Sequence, residues 1–220
     1  MTEAEWLTCA DPQRMLEFLE SKTSDRKLRL FAIACCHRVW ELLDDPPSRD
    51  AIEMAEWFVE GRITAAELQE ASLLVDGNFL PDGEVDRVAE IAASASCSQP
   101  RADRASYNTA RLKARAQNNR PQGRLDTQTI NNEHLAHCGF VRDIFGNPFR
   151  PKAIDPNWLT STVVGLAQGI YEDCAFDRMP ILADALEDAG CTNADLLAHC
   201  RLQQEHARGC WAVDLLLGKQ

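Results

Sequence analysis

The chain has 220 residues, 45% hydrophobic and 26% charged, and its 34 acidic side chains outnumber 23 basic ones to give a formal charge of −11. A chain of this length buries roughly 70% of its extended surface and can build a core without covalent staples, which excludes fibrous, collagen-like and wholly disordered architectures. An acidic average opposes a phosphate backbone, so any nucleic-acid contact needs a local basic patch.

Helix signals dominate from the start. Thr2 and Glu5 have the spacing of a capping box, in which hydroxyl and carboxylate close each other's free backbone amides. Asp11 before Pro12 opens a second helix, with proline in the first turn where its missing N–H costs nothing. Ser24 caps a long helix reaching to about Leu43, in which Leu28, Phe31, Cys35, Val39 and Leu42 recur at three- and four-residue steps and Pro46 and Pro47 mark the end. Ser48 to Glu60 reads as a helix closed by Gly61, Thr64 with Glu67 opens another to about Val75, and Val85, Val88, Ile91 and Ala92 mark one ending near Cys97.

The composition then changes. Between Arg101 and Arg124 seven basic residues face one acid, a local charge of +6 that leaves −17 for the rest of the chain. This stretch reads as a solvated connector with one weak helix around Ser106 to Ala116. Ile130, Leu135, Cys138, Val141, Ile144 and Phe145 resume the apolar stripe until Gly146. A loop with three prolines, NPFRPKAIDPNWLT, offers Phe149, Ile154 and Trp158 as anchors. Thr160 or Ser161 caps a helix through Ile170. A helix started by Pro180, with Asp177 as its expected cap, runs to Ala189 and Gly190; Thr192 or Asn193 starts a short one to Cys200, and Trp211 to Leu217 makes the last turns. No segment alternates with the period of a strand. The expected fold is all-α, a multi-helix bundle-like array with a proline-rich loop, organised as an N-terminal helical subdomain (1–97), a basic polar connector (98–126) and a C-terminal helical subdomain (127–220).

Nine cysteines without an apolar leader point to a cytoplasmic protein with reduced thiols, and no run approaches the roughly 20 apolar residues that cross a bilayer. Metal-capable side chains are densest near the C-terminus: Cys191, His199, Cys200, His206 and Cys210. Asp195 with His199, and His206 with Cys210, stand four apart, the spacing of one helix face, so Asp195 could orient the imidazole and the second pair could be half of a zinc site. The rest of a four-ligand pattern is missing, so the expectation is no cofactor, with zinc as the alternative. His134, His137 and Cys138 invite the same question and read as a core thiol flanked by polar histidines; Cys36 lacks a demonstrated electropositive setting for reactivity. Arg150, Asp177, Arg178 and Asp195 form a candidate polar site. Arg111, Lys113 and Arg115 are the candidate nucleic-acid contacts, with Tyr107 as the only aromatic beside them.

The opening MTEAEWLTCADPQRMLEFLESKTSDRKLRLFAIACCHRVWELL and the later strings DIFGNPFRP, DPNWLTSTVVGLAQGIYEDCAFDRMPILADALEDAGCTNADLLAHCR and HARGCWAVDLLLGK resemble a family of bacterial proteins of unknown function. The similarity spans Met1 to about Gly61 and Cys138 to Lys219, and the middle from Ala65 to Glu133 departs from the family's alanine-rich pattern. The resemblance implies that the neighbourhood of Phe149, Arg150, Trp158, Phe176, Asp177, Arg178 and Trp211 is a family signature, and it implies no activity. The leading expectation is a helical module that binds a protein partner or its own copy. The alternatives are a metal-dependent or hydrolase-like enzyme using Asp177, Arg178, Asp195, His199, His206 and Cys210, and nucleic-acid contact through the connector; a membrane role is not expected.

Overall fold

Side-chain caps set most of the helix starts in this chain. In the computed structural model the Thr2 hydroxyl accepts the Glu5 amide while the Glu5 carboxylate accepts the Thr2 amide at 2.7 Å, and Thr64 with Glu67 repeats the arrangement. Asp11, Ser24, Thr160 and Asn193 each accept amides of the turn they open. The structure describes residues 1–20, 22–44, 46–76, 101–117, 126–150 and 153–219. Among them it contains eleven α-helices and no strand: α1 (Glu3–Thr8), α2 (Pro12–Leu19), α3 (Asp25–His37), α4 (Pro46–Val59), α5 (Ala65–Asp76), α6 (Ala102–Gln117), α7 (Thr127–Phe145), α8 (Ser161–Asp173), α9 (Met179–Asp188), α10 (Ala194–Arg201) and α11 (Trp211–Leu217). The fold is all-α. The helix expected over Val85 to Cys97 lies outside the described residues.

The chain divides into two compact units, Met1–Val141 and Arg142–Gln220. In the first, α3 is buried almost all round from Arg29 to Cys36, as a central helix must be, and packs against α4 and α6. It ends earlier than its apolar stripe suggests: after His37 a 3-10 turn at Trp40–Leu42 carries Val39 and Leu43 into the core. Pro46 and Pro47 do not merely stop this segment. They occupy the first turn of α4.

The larger difference from the sequence reading is α6. It is longer than the weak helix expected there, and Ala102, Ala105, Ala110 and Ala114 on its buried side let its backbone approach α3 closely. Tertiary packing thus turns part of the supposed solvated connector into an integral helix, overriding a polar composition. Its cations are put to use. Lys113 Nζ lies 2.8 Å from Glu133 Oε1, and Arg38 grips the same carboxylate through two bonds of 2.7 and 2.9 Å. Beside them Ser106 Oγ meets His137 Nδ1 at 2.9 Å, and both residues are buried. Burial pushes the His137 imidazole down to about 3, so it is neutral.

The core of the second unit is formed by Val163, Ala167 and Ile170 of α8, Met179, Leu182 and Leu186 of α9, Leu196 of α10, and Ala212, Val213 and Leu216 of α11. The proline-rich loop contributes Ile154 and Trp158 to this core, as expected, whereas Phe149 stays 39% exposed. Asp177 does not cap α9; it sits in a 3-10 turn, Phe176–Arg178, that runs directly into the helix and removes the need for a cap.

Burial alone would raise the Glu133 carboxyl, but the hydrogen bonds and charges of Arg38 and Lys113 outweigh it and hold the group down to about 2. A depressed folded-state value gives stability that is present above the ordinary carboxyl value of 4.5 and is lost as pH falls through about 2. Glu133→Gln is therefore expected to lower stability near neutral pH by about 1–3 kcal/mol. In denaturant titrations the gap to the unaltered protein should close across that acidic window; a gap constant with pH would refute the assignment.

Candidate metal centre

The last turn of α7 carries Asp143 between Val141 and Ile144, all three completely buried, before Gly146 ends the helix with φ +64°. A carboxylate placed on the inward face of a helix demands hydrogen-bond partners. They come from the C-terminal segments. The Asn193 cap fixes the start of α10, whose inward face presents Leu196, His199 and Cys200. The chain then leaves the helix in an extended conformation at Leu202, passes His206, turns at Gly209 with φ +93°, and enters α11 with Cys210 as the residue before its first turn.

Four donor atoms converge there. Asp143 Oδ1 lies 2.5 Å from His206 Nδ1 and 3.2 Å from His199 Nε2, while Oδ2 accepts the Ala207 amide at 2.9 Å. Cys210 Sγ lies 3.1 Å from His199 Nε2 and 4.0 Å from His206 Nδ1, and all four donors fall within 4.8 Å of one another. Zinc bonds of about 2.0–2.3 Å set tetrahedral donor separations of roughly 3.3–3.8 Å, so the set is of the right size for one ion. The short Asp143–His206 edge has a hydrogen-bond length.

The surroundings are closed and aromatic. Asp143 and Cys210 are 0% exposed, His199 7%, and the His206 side chain 3%. The His199 ring meets His206 edge-on at 5.1 Å and Trp211 at 5.1 Å, and Phe176 stacks on His206 at 6.2 Å. Burial acts on Asp143 to raise its carboxyl, but the hydrogen bonds and charges of His199 and His206 prevail and hold it below its ordinary value, so it is a carboxylate. Burial, reinforced by the Asp143 charge, pushes the Cys210 thiol well above its ordinary value. Asp143 thus stands as a carboxylate beside a neutral thiol. Cys210 beside His199 also has the pairing of a nucleophile and its base. The raised thiol and the closed surroundings weigh against attack on a substrate.

Three of the five residues picked out from sequence as metal ligands, His199, His206 and Cys210, meet here. Cys191 and Cys200 belong to the apolar core instead, and burial pushes the Cys200 thiol up to about 12. The supposed helix-face pairing of His206 with Cys210 is made by a loop. Asp195 does not orient His199: it turns outward to Arg150 at 2.5 Å. Arg178 faces Asp173 at 3.8 Å, and both Asp177 and Arg178 are exposed. Of the basic trio, Arg111 donates to the Tyr107 hydroxyl at 2.9 Å, Lys113 is paired with Glu133, and Arg115 is exposed. His137 and Cys138 are both buried, so His137 is not the polar flank expected of it, and burial pushes the Cys36 thiol up to about 12, against a reactive role. Sequence reasoning missed Asp143; its one signal was an acid set among Val141, Ile144 and Phe145 on an apolar stripe.

No family model, curated protein or solved structure matches the chain.

Asp143→Asn preserves shape while removing the charge and an acceptor that faces three donors. It is expected to lower the stability of the metal-free protein by about 1–3 kcal/mol, read from chemical denaturation followed by tryptophan fluorescence. An unchanged midpoint would show that the carboxylate does not organise the centre.

Proposed function

We propose that the protein is a zinc-stabilised helical interaction module, in which Asp143, His199, His206 and Cys210 hold one ion that fixes the Arg142–Gln220 unit. The observation that carries this reading is the convergence of two imidazole nitrogens, a carboxylate oxygen and a sulfur from three separate segments onto one buried point. Imidazole and thiolate donors suit zinc and disfavour magnesium or calcium, which take oxygen ligands. Four protein donors behind aromatic walls suit a structural ion, whereas a catalytic zinc keeps an open position for water.

A closed centre favours a binding role over catalysis. Large apolar side chains available to a protein partner or a second copy stand exposed in each unit, Trp57 and Leu73 in the first, Ile181 and Leu202 in the second. The free thiols of all the described cysteines fit a reducing, cytoplasmic setting, and no helix among the described residues is long and apolar enough to cross a membrane. Nucleic-acid contact has less support, because Lys113 is committed to Glu133.

Elemental analysis of the purified protein should find about one zinc per chain, and Cys210→Ser or His199→Ala should abolish it. Cobalt(II) in place of zinc should give the near-ultraviolet absorption of a thiolate–metal bond, absent in Cys210→Ser. Zinc at a hundredfold excess over its dissociation constant should stabilise the fold by about 2.7 kcal/mol. A protein that neither retains nor takes up zinc would sink this reading.

A further inference from the structure

We infer that the Asp143, His199, His206 and Cys210 centre is an exchangeable clasp, which zinc closes on the segment Leu202–Gly209, rather than a permanently filled staple; this rests on the zinc reading above. The decisive atom is His206 Nε2. Metal-binding histidines almost always donate their second ring N–H to a carboxylate, carbonyl or water, and losing that outer partner costs typically about 10–100-fold in affinity. The His206 side chain is 3% exposed, and its Nε2 is buried with no hydrogen-bond partner among the described residues. When Nδ1 faces an ion, Nε2 must carry the proton and finds no acceptor. The Phe176 ring stacked on the imidazole at 6.2 Å offers none.

The part of the loop that precedes His206 has little of its own to bury. Leu202, its one large apolar residue, is 53% exposed, and Gln203 and Glu205 are exposed as well. Two neighbours tie the loop to Asp143, His206 at Oδ1 and the Ala207 amide at Oδ2, and Arg208 anchors its far end on α8, reaching the Glu172 carbonyl at 3.5 Å, the Cys174 sulfur at 3.2 Å and the Tyr171 ring at 5.6 Å. Withdrawing His206 therefore loosens both bonds together. Zinc occupancy sets how often this loop opens, while the core helices behind it, α8 and α9, hold through their own apolar contacts. The ligand is zinc itself, and the readout is the order of Leu202–Gly209.

The test uses the full chain, first stripped of metal and then loaded with one equivalent of zinc. Amide hydrogen exchange should slow by about tenfold or more across 202–210 on loading, with α8 and α9 unchanged. A chelator such as EDTA in excess should remove the zinc within minutes and restore the faster exchange. His206→Ala should keep the protection of α8 and α9 while abolishing the zinc response of the loop; should that variant not fold, the chelator arm on the unaltered chain decides alone. Zinc retained overnight against EDTA, or a loop equally protected with and without zinc, overturns the clasp and leaves the structural-zinc reading standing. Failure to bind added zinc at all ends both.

Discussion

A carboxylate with no access to water costs several kcal/mol unless donors surround it, and Asp143 is such a group. The C-terminal unit is organised to satisfy it. One donor is a histidine at the inward face of α10, a second is a histidine on the following loop, and a third is the amide of the next loop residue. These bonds, together with those of Arg208 to the Glu172 carbonyl and the Cys174 sulfur, hold a polar loop on one course between α10 and α11. They also explain the position of Cys210, delivered to the centre by the turn that begins α11.

The helix that carries Asp143 in its last turn holds another buried acid, Glu133, and the two are met in different ways. Glu133 faces Arg38 and Lys113, whose charges are permanent, so its environment is complete and calls for nothing further. Asp143 faces two imidazoles and a thiol, groups that give up protons readily to a metal ion. The contrast separates a structural ion-pair cluster from a candidate binding centre among residues of similar burial. Composition alone would not distinguish them.

Much of the fold was legible because helix boundaries are local chemistry. The Thr2/Glu5 and Thr64/Glu67 boxes, the Asp11–Pro12 start, the Asn193 cap and the glycine endings at 146, 190 and 218 are all visible within a few residues of sequence. Errors arose where the deciding partner was distant. The α6 helix depends on α3 to cover its alanines, whereas Asp177 lies inside a 3-10 turn that continues directly into α9. For the centre, three members, His199, His206 and Cys210, could be named from their crowding near the C-terminus. Asp143 could not, since its partners lie more than fifty residues away along the chain. Cys191 and Cys200 shared the crowding without the geometry, and only packing assigns them to the apolar core.

The burial of Cys210 has a further consequence for how the protein ages in the cell. Oxidants attack thiolates far faster than thiols, and the first product of that attack, a sulfenic acid, would ruin a sulfur ligand. With its proton held firmly by the apolar walls and the neighbouring carboxylate, Cys210 offers peroxide a poor target. Burial therefore protects the sulfur of the centre as well as placing it.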